Sequence, residues 1–546
     1  MPGFKLFGNR KNSFARLRRH SAALLAVCSL ACPLAGCGGT QTAPKALSED
    51  GSVSEVFSDE ALVLDYAVPV MTPAIKVDQV GYTSKGIKRA FLSGTHIPDS
   101  FRVIDMETGE AVYEGSVTNR TGEMATLDFT AFEEAGSYCL EADVVGVSYA
   151  FTIGDEVYAD ALESVLKQFY LNRCGISLTE QYAGEGAHSV CHTTAASVQD
   201  GGAKTVDVTG GWHLDARMNR SVPDGCTALD HLLLAYEMNP EAFTDETGIP
   251  ESGNEIPDIL DEAAYEAAWL LKMQEASTGG VYEAALTEGA EDGNPMLMNV
   301  VVSPVTMEAT GSFAAALARF ASLFRTYDEE LATQCVQASD KAFRLCRAAK
   351  EGAVGKSYRA ACELYRATGD ARYKDAIDEY LKDASLIENI AVDADCFYAA
   401  VAYLSTSGEV DRNACARMMD VLMDGARTIA EEASASSYRV AAEDADAAVA
   451  DGETGADETV ARASAVLDEM RLLAVVNHIL YNYEYQTMIE DHAHYLMGRN
   501  ERAVNYVTDA SEYSYAQAGA SGLKTQPLQA AQLVFLLSGL NSSGSS

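Results

Sequence analysis

The residues best equipped for chemistry fall in a few short stretches. Gly210–Arg220 (GGWHLDARMNR) gathers an indole, an imidazole, a lone carboxylate at Asp215 and guanidinium groups that include Arg217. His188–His192 (HSVCH) offers two imidazoles and the Cys191 thiol, the usual donors to zinc. No fourth donor stands at a local spacing, so these side chains are expected to brace or line a site, and no metal is assigned. Asp258, Asp261 and Glu262 form an acidic trio at the start of an apolar-periodic segment. Acids there stabilise a helix N-terminus, so a structural role is expected. Ala441–Ala463 is acid-rich but lacks the oxygen donors, glycine and closing glutamate of a calcium loop at their set offsets, and reads as a solvated insertion. Nothing reads as a nucleotide site, a G-x-S-x-G elbow or a haem motif, and no cofactor is expected.

These residues need a framework, and two periodicities supply it. IKVDQVGY, KRAFLSG, SFRVID, EAVYEG, MATLDF, GSYCLEA and VSYAFTIG, between Ile75 and Ile153, read as seven strands of a small β-sandwich. From Tyr158 onward strand signals nearly vanish. Phe313, Leu317, Phe320 and Phe324 then recur at spacings of four, three and four, and Ile256, Ile259, Leu260, Ala263, Ala267, Leu270 and Leu271 share a helix face, with Pro257 suited to the first turn. YRAACELYRATGDARYKDAIDEYL reads as two helices broken at Gly369-Asp370. The body is expected to be a ring of helical hairpins.

Composition narrows the partners. Of 546 residues, 48% are hydrophobic, enough for several domains, and 80 acids oppose 40 bases. A net charge of -40 repels nucleic acid and anionic membrane surfaces, so neither is an expected ligand. The first twenty residues carry six Lys/Arg and no acid and precede a roughly fifteen-residue apolar run, the pattern of a signal peptide over 1–36. Leu34-Ala35-Gly36-Cys37 is similar to a bacterial lipobox, which implies lipidation of Cys37 and display on the extracellular face of the cell membrane, with 37–72 as a flexible linker. Nine cysteines follow, singly scattered with no C-x-x-C pair, and are expected to be buried thiols.

Several segments together resemble family 9 glycoside hydrolases, cellulases that often carry an immunoglobulin-like domain before an (α/α)6 barrel. They are Ile75–Tyr82, Phe169–Gly175 (FYLNRCG), His188–His192, the long stretch Tyr236–Tyr282 and His494–Thr508 (HYLMGRNERAVNYVT), in the family's order. The resemblance implies a multidomain chain, an immunoglobulin-like β-sandwich over 73–155 and an all-α (α/α)6 barrel over 156–540. It implies inverting hydrolysis, in which one carboxylic acid protonates the leaving oxygen while a carboxylate about 6.5 to 9.5 Å away deprotonates water.

The family pattern G-G-W-[HY]-D-A-G-D is only partly present. Gly210 to His213 match; without a gap Arg217 takes the base position, and with one inserted residue Met218 does, so Asp215 is the one carboxylate left. At the other end LKTQPLQAAQLVF places Lys524 where the family's general acid sits, no His-His-Arg motif is found, and Glu512 is the nearby carboxylate that could substitute. The resemblance implies substrate contacts from Trp212, His213, His192, Arg217, Arg499 and Tyr506, with Arg499 and Asn500 also read as fastening the last helices or a cleft loop. Three functions stay open: a monomeric surface hydrolase of β-linked glucan or oligosaccharide with altered or reduced activity, using Asp215 and Glu512; an inactive saccharide-binding lipoprotein; or a relative diverged toward an amino sugar or charged glycan, with Arg217 and Lys524 as anion contacts. With two tryptophans and 26 tyrosines, a soluble oligosaccharide suits the chain better than crystalline cellulose.

Overall fold

The computed structural model describes residues 72–199, 201–289, 293–349, 353–441, 455–507 and 523–543, together with two short paired segments at Ala46–Leu47 and Val53–Ser54. Residues 72 onward belong to one compact unit.

Nine strands open it: β1 Ile75–Lys76, β2 Gly81–Tyr82, β3 Arg89–Ser93, β4 Ser100–Asp105, β5 Ala111–Thr121, β6 Met124–Asp128, β7 Gly136–Ala142, β8 Gly146–Val147 and β9 Phe151–Ile153. They are ordered β1-β3-β6-β5-β4-β7-β9-β2, with β8 on β7, and the long β5 passes between the two layers of the sandwich. Tyr82, Leu92, Phe101, Val103, Leu127, Phe129 and Phe151 fill its core. Two of the seven expected strands are split. Asp78 Oδ1 accepts the N–H groups of Val80 at 2.8 Å and Gly81 at 2.9 Å, which turns the chain between β1 and β2. Gly81, at φ +143°, lets β2 pass beside Thr152, whose carbonyl oxygen would lie 2.1 Å from a Cβ.

Twelve helices of ten residues or more follow among the described residues: α1 Ala159–Leu171, α2 Val222–Met238, α3 Asp258–Lys272, α4 Met307–Phe324, α5 Glu329–Ala349, α6 Val354–Thr368, α7 Ala371–Tyr380, α8 Ala394–Ser405, α9 Arg412–Ala435, α10 Gly455–Ile479, α11 Tyr483–Leu496 and α12 Pro527–Ser543. The even-numbered helices form the inner ring, packed α2 on α4, α4 on α6, α6 on α8, α10 on α12 and α12 on α2; the odd-numbered ones lie outside. This is the (α/α)6 barrel. Burial explains the division. Every residue from Ala309 to Ala321 in α4 and from Ser357 to Tyr365 in α6 is buried, as a helix surrounded on all sides requires. Phe313, Leu317, Phe320 and Phe324 are all buried, and Gly369, left-handed at φ +69°, ends α6 before α7 begins. Pro257 sits just outside α3 rather than in its first turn. None of the described helices is long and apolar enough to cross a membrane.

Charges on the inner ring are paired along the barrel axis. Arg319 binds Glu237 at 2.7 Å and Glu363 at 3.2 Å, Arg366 also binds Glu237, and Arg359 bridges Asp230 and Asp395. Because hairpins alternate between the rings, the inner helices run in one sense and their N-termini share one face. That face carries short strands the sequence does not announce: β10 Ala196–Val198, β11 Thr205–Val206, β12 Arg220–Ser221, β13 Val281–Tyr282, β14 Ala284–Thr287, β15 Val300–Val302 and β16 Val305–Thr306. Five form a sheet ordered β11-β10-β15-β14-β12 that laces the loop before α2 to the loop before α4. At two to four residues each, they are too short to show a period.

The sandwich is fastened to the barrel by buried ions. Asp78 faces His494 at 2.7 Å, and Asp491 accepts Arg499 at 2.8 Å and Arg439 at 2.7 Å with Arg89 at 3.7 Å. Burial raises the Asp491 pKa, but the charges of Arg499 and Arg439 outweigh it and hold the carboxyl below its ordinary value. Removing this anion leaves the buried Arg499 and the partly buried Arg439 without their carboxylate. Asp491→Ala is expected to cost about 3–5 kcal/mol in urea unfolding, and the wild-type contribution to fade as pH falls below the ordinary carboxylate range. A loss under about 1 kcal/mol contradicts this assignment.

Candidate functional site

The loop before α2 is fixed from below. Gly211 adopts φ +76°, and a Cβ there would lie 2.6 Å from the Trp269 ring, so the chain can cross that ring only as glycine. Trp212 then drops into the core. Its backbone N–H donates to Glu266 at 2.9 Å and its indole N–H to Glu262 at 3.3 Å. Arg173 donates to Glu262 at 3.1 Å and to Glu251 at 2.8 Å, and Arg220 donates to the carbonyls of Val208 and Gly210, the latter at 2.8 Å. Burial pushes the Glu266 carboxyl up to about 8, against the smaller opposing effects of the Trp212 N–H and Arg220.

The same pairing assembles four metal-capable donors. Cys174 N–H bonds Gly211 O at 2.8 Å and His213 N–H bonds Asn172 O at 2.8 Å, which sets Cys174 beside His213. Reciprocal 3.0 Å bonds between Leu178 and His188 return the chain so that Cys191 and His192 meet them. Cys174, Cys191, His192 and His213 are all buried, with donor atoms within 4.8 Å of one another. A tetrahedral zinc with ordinary bond lengths requires edges of about 3.8 Å between sulfurs and about 3.6 Å from sulfur to nitrogen. The two sulfurs are 3.8 Å apart, with Cys174 Sγ 3.4 Å from His192 Nδ1 and Cys191 Sγ 3.7 Å from His213 Nε2. His192 Nε2 donates to Pro295 O at 2.9 Å, which leaves Nδ1 bare and facing the sulfurs. The contact between the two thiols acts on them oppositely: it holds Cys191 well below the usual thiol range, and with burial it lifts Cys174. Burial also keeps His213 neutral. The donor set fits a structural zinc with no open coordination position, whose chemistry is cross-linking of loops.

Asp245, Asp258 and Asp261 make an oxygen-only group suited to a calcium-like ion. One Asp258 oxygen is buried without a hydrogen bond, and burial with neighbouring acids raises Asp261 to about 6. Glu262, the third member of the acidic trio, is instead the buried ion partner of Arg173.

On the exposed side of the loop stands Asp215. Its Oδ1 accepts the backbone N–H of Arg217 at 2.9 Å and of Asn219 at 3.0 Å, and its Oδ2 accepts the Asn219 side-chain amide at 2.8 Å. Asp215 thus caps its own turn, with Met218 left-handed at φ +58°.

With this geometry the relatives can be stated. A sequence profile described as "Glycosyl hydrolase family 9" matches residues 158–529, and one described as "Cellulase N-terminal ig-like domain" matches residues 71–147. The chain belongs to glycosyl hydrolase family 9. A cellodextrinase of Butyrivibrio fibrisolvens is 30% identical over 57% of this chain and 62% of its own length. Endoglucanase D of Acetivibrio thermocellus is 31% identical over 50% of this chain and 45% of its own. The chain therefore spans only about half to three-fifths of these two relatives. The fold matches a metagenome-derived family 9 endoglucanase at a TM-score of 0.73 and 23% identity, covering 86% of this chain and 99% of that one. It also matches a thermostable endoglucanase of Alicyclobacillus acidocaldarius at 0.70 and 22%, covering 86% and 99%.

Several family-implied assignments change. Trp212, His213 and His192 are buried and brace the loop or complete the four-donor group rather than facing a ligand. Arg499 is buried over Phe91 and bound to Asp491, so it joins the sandwich to the barrel and is not a substrate contact. Tyr506 is half-buried in the segment that laces Leu496 to Leu523, and burial lifts its hydroxyl to about 12. Arg217 is exposed on the Asp215 turn. Lys524 lies in the helical turn Leu523–Thr525 just before α12, while Glu512 and Cys37 lie outside the described residues. The donors missed from sequence are Cys174 and His213, which local spacing cannot reveal because backbone pairing brings them in.

Two outcomes are expected. Purified protein should carry about one zinc per chain, and Cys191→Ser should abolish this and lower Tm; a metal-free chain of unchanged Tm argues against the four-donor site. Because the Glu266 carboxyl is raised from about 4.5 to about 8, the folded state binds the extra proton, and stability should fall as pH rises through that window. Glu266→Gln should flatten this slope in denaturation series at several pH values; an unchanged slope contradicts the assignment.

Proposed function

We propose that the chain is a surface-displayed member of family 9, monomeric and tethered through acylated Cys37, that binds soluble β-linked gluco-oligosaccharides and hydrolyses them slowly by the family's inverting route. Family membership and the names of its relatives support the substrate class. The observation that carries the reduced rate is the state of Asp215. The described hydrogen-bond partners of its two oxygens all belong to its own turn and occupy three of about four acceptor positions, so a water molecule can give up a proton there only to the remaining lone pair of Oδ2, on a carboxylate whose basicity those donors lower. Neither role passes easily to the cationic residues Arg217 and Lys524. The second reading, saccharide binding without turnover, rests on the same hydrogen bonds held permanently.

Reducing-sugar release from cellotetraose and soluble β-glucan separates the two. Slow wild-type turnover is expected, lowered a further ~10² to 10⁴-fold in Asp215→Ala. Asn219→Ala, which frees Oδ2, should raise kcat. Turnover unaffected by Asp215→Ala removes this residue as the base. Oligosaccharide binding with no turnover in any variant establishes the second reading.

A further inference from the structure

The barrel mouth contains a cavity of about 440 Å³ that lies between α8 and α10 and reaches the axis beside α2 and α12. Its size is that of a small-molecule site, ~300 to 1,000 Å³. It lies deeper than the Asp215 turn: His231 stands nine residues into α2, about 13 Å along the helix from Val222. Arg471 lines the cavity, with its guanidinium 5.1 Å from the Phe397 ring centre and 5.8 Å from that of Tyr398.

The polar groups of the lining form an ordered relay with free acceptors at its end. His231 donates from Nδ1 to Thr227 O at 2.8 Å, so its bare Nε2 accepts Arg471 Nη1 at 3.2 Å. Burial, then the Arg471 charge, holds His231 down to about 3, so it stays neutral. Arg471 pairs with Asp468 Oδ1 at 3.1 Å, and Gln532 donates to the same oxygen at 2.9 Å. Gln529 donates to Ser464 at 3.2 Å. Among the described residues this leaves Asp468 Oδ2 and the carbonyl oxygens of Gln529 and Gln532 without donors. Asp468 is half-exposed, so these acceptors are within reach of a ligand.

We propose that this well binds the terminal one or two rings of a neutral oligosaccharide, resting on the functional reading above and naming the part of the chain that is recognised. The chemistry selects this class. Planar carboxylate and amide groups match the adjacent hydroxyls of a pyranose, which donate to the three free acceptors. Acids outnumber the single arginine, since Asp393 and Glu469 also line the cavity, so phosphate, sulfate or uronate is disfavoured. A volume of about 440 Å³ has room for one or two pyranose rings, which fits the end of a chain and not a long internal stretch.

Calorimetric titration of the full chain with cellobiose, cellotriose, cellotetraose and a long soluble β-glucan tests this. Affinity per chain end should level off by the trisaccharide. Asp468→Asn should weaken binding about ten- to a hundredfold and Gln529→Ala about three- to tenfold, with Tm unchanged, while Asp215→Ala lowers turnover but leaves binding within about twofold. Gln529 lies outside the ion pair, so it remains informative if Asp468→Asn lowers Tm. Wild-type binding that both variants preserve overturns the well and leaves the functional reading standing. Absence of wild-type binding to every glucan overturns both.

Discussion

Two glutamates without access to water decide where the candidate site stands. Glu262 and Glu266, four residues apart on α3, present one face to the core, and each takes an N–H of Trp212. Arg173 compensates the first; the second is held toward its protonated form by burial. An unpaired buried carboxylate is so costly that the loop can move only if both partners move together. The fixed Trp212 sets the register against Arg173, which places His213 beside Cys174 and makes the four-donor group possible. It also leaves only the outer half of the loop, Leu214 to Asn219, to settle its own hydrogen bonds.

The barrel axis obeys the same constraint on a larger scale. Inner helices buried on every side could slide past one another if their surfaces were uniformly apolar. The contacts of Arg319 with Glu237 and Glu363, and of Arg359 with Asp230 and Asp395, permit one register, since each slip strands a charge. Such pairs add specificity more readily than net stability. Both tryptophans are consumed in the loop support, Trp212 as the clasped residue and Trp269 as the ring crossed by Gly211. Neither offers a surface for stacking sugar rings.

What was legible in the sequence follows from length scale. Helical periodicity over four or more turns located the face of α4 and the break at Gly369, because burial enforces it at every turn. Alternation found the longer strands. It failed where a single side chain overrules the period, as Asp78 does between β1 and β2, and where strands shrink to the two residues of β12 or β13. The site was legible as a segment and misread as a surface. Trp212 and His213 announced the right loop, but only the Glu262 and Glu266 bonds reveal that they point inward. Arg499 belongs to the same class: its partner Asp491 lies one helix back, and nothing in the spacing shows that Arg89 of the sandwich converges on it.

The clasp and the Asp215 turn differ in what holds them, and the difference bears on which substitutions the fold tolerates. Trp212 is tied to groups that cannot return to water, so altering it disturbs the core. Asp215 is tied to exposed backbone N–H groups two to four residues away, bonds that water can replace at little cost. Substitutions within Leu214 to Asn219 therefore change the chemistry offered to a substrate without touching the interactions that specify the barrel. A site built in this way keeps its walls whichever groups its outer loop presents, and the groups held most firmly in place are those, like His231 and Arg471, that are locked into the ring itself.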